Sequence, residues 1–293
     1  MNIFVAVVDT KGFAGAARKL SISPPAVTRA INELENQLGV RLLSRTTRVV
    51  RVTEAGARYA DDCRRILSEL ADADESVGGT HGAPRGRLML TAPVMFGAKF
   101  VTPIVTAYLQ TYSDVSATCL FLDRIVNMLD EGIDVAVRIG ELADSSMQAI
   151  RVGQIRRVIC GAPAYLEKHG VPNTPEDLRT HSIISANSIT FTPEWRLMKN
   201  GVPHSVKLQP RLSCSTNDAA VTAAVAGFGL TQLLSYQVAE QVGDLRLRTV
   251  LDEFEPAALP VHVVHREGRH ASQKVRSFLD FAIQRLRAEP ALR

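Results

Sequence analysis

Residues 12–38 read GFAGAARKLSISPPAVTRAINELENQL and predict two short helices joined by a tight turn. Small alanines in the first helix allow a second helix to cross it closely. Ser23 suits the N-cap of the second helix, because its hydroxyl can accept a hydrogen bond from the first turn, and Pro24 suits the first helical position. Apolar residues at helical spacing predict the buried face of the second helix. They are Val27, Ile31, Leu34 and Leu38.

The opposite face of the second helix is polar and carries Thr28, Arg29, Asn32 and Glu33. This layout is typical of a helix-turn-helix, in which side chains near the start of the second helix read base edges in the major groove of DNA. An ordinary helical hairpin with a solvated face is the alternative. The predicted DNA contacts on this helix are Ser23, Pro25, Thr28, Arg29 and Asn32.

The next segment is basic and alternating. Val50 and Val52 flank Arg51, and Arg45 and Arg48 lie close by. This pattern predicts a two-stranded hairpin, and a hairpin after a helix-turn-helix is a wing, whose arginines can contact phosphates or enter the minor groove. We therefore predict that Arg45, Arg48 and Arg51 also contact DNA.

Many residues of this region share one register with a known family. They are Phe4, Val7, Val8, Phe13, Ala16, Ala17, Arg18, Lys19, Leu20, Ser23, Pro25, Ala26, Val27, Thr28, Ile31, Leu34, Glu35, Leu38, Gly39, Leu42, Leu43, Arg45, Arg48, Thr53, Glu54, Ala55 and Gly56. In this register the chain resembles the LysR-type transcriptional regulators, and its Arg45-Thr46-Thr47-Arg48 wing resembles the CrgA-like branch. The resemblance also implies a few more residues before the first helix than this chain has.

The composition and charge of the 293-residue chain fit this interpretation. The chain is 46% hydrophobic, which is enough for two domains of roughly 100–200 residues. We expect a cytoplasmic protein without membrane contact, since neither a long apolar run nor a secretory leader is present. Residues 1–58 carry nine Lys and Arg against four Asp and Glu, whereas residues 59–86 carry three against six. A polyanion is therefore expected to dock on residues 1–58.

A long helix is predicted from Thr53, a candidate N-cap, to about Val77. Apolar residues form a seam along it at alternating spacings of four and three. They are Tyr59, Cys63, Ile66, Leu70, Ala73 and Val77. The charged flanks of this seam favour pairing with a second copy of the chain, and packing against the helix's own domain is the alternative. The resemblance likewise implies a linker helix that joins two chains, and tetramers built as dimers of dimers on pseudo-palindromic DNA sites.

Residues 78–86 contain four glycines and a proline, which predict a flexible hinge. The predicted organisation is a winged helix-turn-helix domain at 1–58, a dimerising linker helix at 59–78, a hinge at 79–86 and an effector-binding domain at 87–293.

From residue 87 onward, strand and helix patterns alternate, which predicts an α/β domain with mostly parallel sheets. Strands are predicted at 88–90, 117–122, 135–139, 182–185, 211–214 and 230–234. Helices are predicted at 97–112, 125–131, 164–168, 218–226 and 272–287, and Asn200-Gly201 predicts the type I′ turn of a hairpin. The chain crosses into a second lobe near 155–160, and 260–265 returns to the first. The lobes are placed at about 87–160 with 266–293, and at about 161–265.

The family resemblance extends more weakly to the end of the chain, where Gly227-Phe228-Gly229 matches a recurrent turn. It implies a two-lobed effector domain like a periplasmic binding protein. In such folds ligands lie in the cleft, at the ends of strands and against helix N-termini, whose free N–H groups suit a carboxylate. A simple helix cap is the alternative for each joint. The predicted effector-binding residues are Thr91, Pro93, Met95, Phe96, Arg138, Ser185, Asn187, Ser215, Thr216 and Asn217.

The chain has no recognisable catalytic motif. Its histidines lack HExxH spacing, and GxSxG, the P-loop and a GxGxxG after a strand are all missing. Its cysteines at 63, 119, 160 and 214 are too far apart for a zinc or redox motif. We expect no enzyme activity, no metal and no cofactor. The predicted ligand is a small anionic or polar metabolite, and the predicted partners are double-stranded DNA, a second copy of the chain and RNA polymerase. A DNA-binding assembly protein without a ligand and an enzyme with a DNA-binding head are the alternatives.

Overall fold

The protein is described by a computed structural model at residues 1–45, 50–78, 83–142, 147–186, 194–265 and 271–293. The chain divides into two compact units, residues 1–82 and residues 83–293. Among the helices that the structure describes, none combines the length and the apolar character needed to cross a membrane.

The first unit is built from helices and a short hairpin. The helices are α1 (Asn2–Asp9), α2 (Phe13–Leu20), α3 (Pro24–Leu38) and α4 (Glu54–Gly78), and the strands are β1 (Leu43–Arg45) and β2 (Val50–Val52). As predicted, Ser23 caps α3, and its hydroxyl accepts the N–H of Ala26 at 3.4 Å. The strands β1 and β2 pair antiparallel. The predicted helix-turn-helix with a hairpin behind it is therefore confirmed.

One position on the buried face of α3 was predicted wrongly. Leu38 is 43% exposed, because α3 ends there and Gly39 turns the chain away with a φ of 65°. Glu35 is buried in its place. Its Oε1 accepts the N–H groups of Leu42 at 2.8 Å and Leu43 at 2.9 Å, so this carboxylate ties α3 to the start of β1.

The seam along α4 divides into two parts. Thr53 caps the helix as predicted, since its hydroxyl accepts the N–H of Gly56 at 2.9 Å. Tyr59 packs against the Phe4 ring, and Cys63 is fully buried in the core of this unit. The predicted alternative, packing against the helix's own domain, therefore holds for the first part. Further along the seam Ile66 and Leu70 are 40% and 56% exposed. The side chains of Ala73 and Val77 lie outside the described ones.

The second unit is an α/β structure. Its strands are β3 (Gly86–Ala92), β4 (Val115–Phe121), β5 (Val135–Ile139), β6 (Gln148–Ile155), β7 (Arg157–Gly161), β8 (Ile183–Ala186), β9 (Glu194–Lys199), β10 (Val202–Lys207), β11 (Leu212–Cys214), β12 (Leu230–Leu234), β13 (Arg248–Val250) and β14 (Leu259–His265). Its α-helices are α5 (Val94–Phe96), α6 (Thr102–Thr111), α7 (Pro163–His169), α8 (Asn217–Val225), α9 (Ser235–Gly243) and α10 (Gln273–Ala288). A π-helical turn, Gly97–Val101, joins α5 to α6, and short 3₁₀ helices span Pro175–Thr180, Asp252–Phe254 and Pro290–Leu292.

Two five-stranded sheets define two lobes. Their strand orders are β4-β3-β5-β14-β6 and β11-β8-β12-β7-β13. In each sheet the first three strands are parallel and the last two pair antiparallel. Four of the five strands in each sheet therefore run in one direction, as predicted for mostly parallel sheets. The strand that follows each crossing between the lobes, β14 in the first sheet and β7 in the second, runs in the opposite direction.

Several predicted boundaries in the second unit are corrected. Residues 125–131 form turns instead of a helix, where the Asn127 side chain accepts the N–H of Leu129 at 3.1 Å and so competes with helical bonding. Gly86, assigned to the hinge, pairs with Val115 in the first sheet. The second lobe's sheet begins with Arg157 instead of residue 161, and the strand 259–265 lies in the first lobe's sheet. The strand at 148–155 and the helix at 235–243 were not predicted.

The hairpin of β9 and β10 follows the prediction from Asn200-Gly201. Asn200 and Gly201 have φ angles of 52° and 78°, as a type I′ turn requires. The hairpin buries Trp195, the only tryptophan of the sequence, in the core of the second lobe.

An ion pair joins the two segments that cross between the lobes. Arg156 lies between β6 and β7, and Glu255 lies between β13 and β14. The Nη1 atom of Arg156 is 3.0 Å from each carboxylate oxygen of Glu255. The Glu255 side chain is 14% exposed and that of Arg156 is 60% exposed. Burial raises the pKa of Glu255, and the Arg156 charge opposes this shift.

This asymmetry predicts unequal effects for the two partners. Because burial already disfavours the charged carboxylate, we expect Glu255→Gln to be nearly neutral. Arg156→Gln leaves that carboxylate without its cation and should lower the free energy of unfolding by about 1–2 kcal/mol at pH 7. Urea unfolding followed by Trp195 fluorescence measures both values, and Arg246→Gln, which breaks an exposed pair with Asp244, is the control. Equal losses, or a larger loss for Glu255→Gln, would contradict this expectation.

Candidate functional site

The polar face of α3 forms a shallow, open surface. It is lined by Pro24, Pro25, Thr28, Arg29, Asn32, Glu33 and Asn36. Four of the five DNA contacts predicted on this helix thus share one surface, and Ser23 lies at its edge as the N-cap. Asn36 was not predicted, although it follows Asn32 by four residues and so lies on the same helical stripe.

The groups on this surface differ in what they offer a ligand. Arg29 is exposed and has no carboxylate within ion-pair distance in the described part of the chain, so its guanidinium donors are available. The Thr28 hydroxyl donates to the carbonyl oxygen of Pro24 at 3.1 Å. The hydroxyl oxygen of Thr28 can still accept a hydrogen bond, and Thr28 lines this surface.

The predicted wing is only partly described. Arg51 lies in β2, opposite Ser44, and its side chain is exposed. Arg45 is the last residue of β1, opposite Val50. Arg48 lies outside the described residues.

A pocket with a volume of about 410 Å³ lies between the two lobes of the second unit. Its walls are Pro93, Leu122, Asp123, Arg124, Ile125, Arg138, Ile139, Arg157, Ala186, Asn217, Gln232, Leu233, Leu234, Tyr236, Gln237 and Leu259. Several of these residues end or follow parallel strands of both sheets, where α/β folds bind ligands. The volume is within the range of small-molecule sites, about 300–1,000 Å³.

The first-lobe residues predicted for this site are only partly brought together. Pro93 and Arg138 line the pocket. Thr91 does not, because it is buried and its hydroxyl donates to the Leu120 carbonyl at 2.7 Å. Phe96 is fully buried in the core, and Met95 packs against that core. These three side chains are therefore not among the walls of this pocket.

One of the N–H groups at the start of α5, which were predicted to be free for a ligand, is already bonded. The Oδ1 atom of Asp123 accepts the N–H of Val94 at 3.0 Å. The chain thus supplies its own carboxylate to this helix start. Asp123 follows β4 at the same sheet edge, a position that the local sequence around residue 94 does not reveal.

The second-lobe predictions also divide. Asn217 lines the pocket, whereas Thr216 is the cap of α8 and its hydroxyl accepts the N–H of Ala219 at 3.4 Å. Ser215 is exposed and Ser185 is buried, and neither is a wall of the pocket. Asn187 lies outside the described residues.

Three arginines line the pocket, and they differ in their partners. Arg124 forms a two-pronged pair with Glu131, with distances of 2.8 and 3.0 Å. Among the described residues, the Arg138 side chain makes one long hydrogen bond, 3.4 Å to the Val126 carbonyl. Burial lowers the pKa of the Arg138 guanidinium, and the Glu131 carboxylate opposes this shift.

Arg157 is the residue that sequence reasoning missed. It begins β7 directly after the crossing between the lobes, and its side chain forms no hydrogen bond or ion pair within the described ranges. Part of its side chain is open to water, yet the pocket walls around it lower the pKa of its guanidinium by burial. A guanidinium on a pocket wall without an ionic partner can pair with a carboxylate through two parallel hydrogen bonds, so this wall favours acidic ligands.

The pocket is also lined by Tyr236 and Gln237, which lie in the first turn of α9. Tyr236 is buried, and its ring lies 5.5 Å from Phe96 and 5.7 Å from Phe100, so a side chain of the second lobe packs into the core of the first. Burial, with smaller contributions from nearby carboxylates, raises the pKa of Tyr236, which therefore stays a neutral phenol. The Gln237 side chain accepts the N–H of Leu234 at 2.9 Å.

A metal site has no support in the described residues, where no three His, Cys, Asp or Glu side chains are arranged to hold an ion.

Comparisons with known proteins match both units. Residues 1–57 match the family model for the bacterial regulatory helix-turn-helix protein, lysR family, and residues 81–287 match the LysR substrate binding domain. An uncharacterized HTH-type transcriptional regulator of Haemophilus influenzae is 30% identical over 275 residues, 94% of this chain and 96% of that protein. The HTH-type transcriptional regulator CrgA of Neisseria meningitidis is 28% identical over 288 residues, 98% of this chain and 96% of that protein.

Solved structures match along the same length. The full-length Vibrio cholerae virulence activator AphB has a TM-score of 0.62 and 27% identity, with 97% of each chain covered. These similarities confirm the predicted fold, an N-terminal helix-turn-helix domain followed by a two-lobed α/β domain.

Proposed function

Because this chain belongs to the LysR family of transcriptional regulators, we propose that it reads a DNA site with α3 and the hairpin and alters transcription of nearby genes when a small anionic metabolite binds between its lobes. The observation that carries the ligand part is Arg157, a guanidinium without an ionic partner among the described residues, on the wall of a pocket of about 410 Å³.

The DNA-binding part of the proposal rests on the chemistry of the α3 surface. Arg29 offers paired donors for a guanine, Asn32 carries an amide suited to an adenine, and the Thr28 methyl group suits a thymine. Arg51 on the hairpin is available for phosphates. The surplus of positive charge in residues 1–58 supports docking of a polyanion on this unit.

The assembly part of the proposal rests on α4. Ile66 and Leu70 are exposed apolar residues on the predicted seam, and a second copy of α4 would cover them. Two paired chains then present two reading helices to two half-sites, which multiplies the phosphate contacts. A homotetramer, contact with RNA polymerase and action in the cytoplasm complete the proposal.

The DNA contact of Arg29 is tested by its removal. We expect Arg29→Ala to weaken binding to the selective site by about 1–3 kcal/mol, roughly 5- to 150-fold, because a guanidinium pair to a base edge is lost. Fluorescence anisotropy is measured with DNA from upstream of the protein's own gene and with a scrambled duplex, at two salt concentrations. Binding to the scrambled duplex should change little.

The control is Arg65→Ala, which removes an arginine of the same unit that is paired with Asp62 on α4. It should leave both duplexes bound as before. Equal losses on the two duplexes for Arg29→Ala would assign Arg29 to a phosphate, and an unchanged affinity for the selective site would remove α3 from the DNA interface.

A further inference from the structure

The arginines of the pocket occupy opposite lobes. Arg138 lies near the end of β5 in the first lobe's sheet, and Arg157 begins β7 in the second lobe's sheet. Neither has a carboxylate within 4.0 Å among the described side chains. Each wall of the pocket therefore carries one guanidinium whose charge is not matched by a direct partner.

The remaining charged groups of the pocket are already engaged. Arg124 is held by both oxygens of Glu131. The carboxylate of Asp123 accepts the N–H of Val94 at the start of α5, and its charge contributes to the raised pKa of Tyr236. Arg138 and Arg157 are therefore the pocket arginines without an ion pair in the described part of the chain, and they belong to different sheets. The Glu131 carboxylate, which pairs with Arg124, also opposes the lowering of the Arg138 pKa.

The pocket lining is partly apolar. Its apolar residues are Leu122, Ile139, Leu233, Leu234 and Leu259, and they stand beside the polar Asn217, Gln232 and Gln237. Leu234 lies directly opposite Arg157 in the second sheet, and Ile139 follows Arg138 along β5. Apolar residues in the lining favour a ligand that carries hydrocarbon as well as acidic groups.

We propose that the effector is a dianion, with two acidic groups separated by an apolar span, and that Arg138 takes one acidic group while Arg157 takes the other. This inference rests on the proposed function and names the ligand class of its effector site. A carboxylate fits a guanidinium through two parallel N–H···O hydrogen bonds. A molecule held at both ends joins one lobe to the other, whereas a monoacid engages one lobe only.

The two-point contact also explains how binding would change the protein. A ligand shifts a conformational equilibrium only if it binds one arrangement better than the other. A dianion of fixed length does so, because both ends are satisfied at only one separation of the lobes. Arg157 directly follows Arg156, whose pair with Glu255 joins the two crossing segments, so the ligand acts beside the point where the lobes connect.

The test uses the full-length protein and matched acids at constant ionic strength. The probes are straight-chain dicarboxylates of four to eight carbons, monocarboxylates of the same lengths and inorganic phosphate. Thermal unfolding identifies the binders, and calorimetry gives their dissociation constants. We expect at least one dicarboxylate to bind at least about tenfold more tightly than its matched monocarboxylate and than phosphate.

The arginine variants test each end of the ligand separately. Arg138→Gln and Arg157→Gln should each reduce the affinity for the dicarboxylate to that for the monocarboxylate, and the double variant should bind neither. Arg157→Lys, which keeps the charge and loses the two-pronged geometry, should recover part of the affinity. Arg246→Gln, outside the pocket, is the matched control and should bind as the unchanged protein does.

Three results would overturn the proposal: no dicarboxylate of the series binds, monocarboxylates or phosphate bind equally well, or one of the two glutamine variants retains full affinity. DNA binding without ligand is measured in parallel. Selective DNA binding with equal binding of mono- and dicarboxylates would reject the dianion and leave the proposed regulator with an anionic effector. If the unchanged protein does not bind DNA selectively, the proposed function itself is rejected.

Discussion

Replacement of Glu35 by alanine is expected to lower the free energy of unfolding of the first unit by about 2–4 kcal/mol. Glu35 is only 8% exposed, and one of its oxygens accepts the N–H groups of Leu42 and Leu43. Alanine would leave both buried donors without a partner, and the penalty for each is about 1–3 kcal/mol. The loss also frees the start of β1 from α3, so the hairpin that carries Arg51 should be less firmly placed beside the reading helix.

Hydrogen exchange of the full-length protein measures this effect at the amides of Leu42 and Leu43, which should exchange much faster in Glu35→Ala. Glu35→Gln is the matched control, because its amide keeps an oxygen that can accept both N–H groups, and we expect it to lose less than half as much stability. If these amides exchange as slowly in Glu35→Ala as in the unchanged protein, the carboxylate does not hold the hairpin in place.

The first unit was largely predictable because its signals are local. The start of α3 follows from Ser23 and Pro24. Its buried side follows from the apolar spacing directly after them, so all of these signals lie in one short stretch of the chain. Leu38 was assigned wrongly for a non-local reason. The buried position belongs to Glu35, because two N–H groups seven and eight residues later need an acceptor, and helical spacing carries no information about such a need.

The interlobe pocket was predictable only where it follows from strand ends. Arg138 and Asn217 were found because each lies at a joint between a strand and the segment after it. The joint at 91–96 was predicted to offer free N–H groups. The N–H of Val94 instead donates to the carboxylate of Asp123, 29 residues later in the chain. Arg157 and Tyr236 reach the pocket because of the lobe crossing and the antiparallel strands beside it, and these depend on the whole sheet.

Replacement of Gly229 by alanine is expected to lower the free energy of unfolding of the second lobe by about 3 kcal/mol or more. A Cβ atom at this position would overlap the carbonyl oxygen of Ser182. That same oxygen accepts the N–H of Leu230 at 2.8 Å and begins the parallel pairing of β12 with β8. Because the clash involves backbone atoms, rotation of a side chain cannot relieve it, and β12 must move away from its neighbour.

The displacement of β12 should also weaken ligand binding, because the pocket is lined in part by Gln232, Leu233 and Leu234 of this strand. Trp195, buried in this lobe, reports the unfolding in urea, and the dicarboxylate that binds the unchanged protein reports the pocket. Gly243→Ala is the matched control, because a Cβ at the end of α9 meets no atom within 4 Å, and it should keep both stability and binding. Unfolding of Gly229→Ala at the same urea concentration as this control would mean that β12 can shift without loss, and that the close approach to Ser182 does not determine the position of this wall.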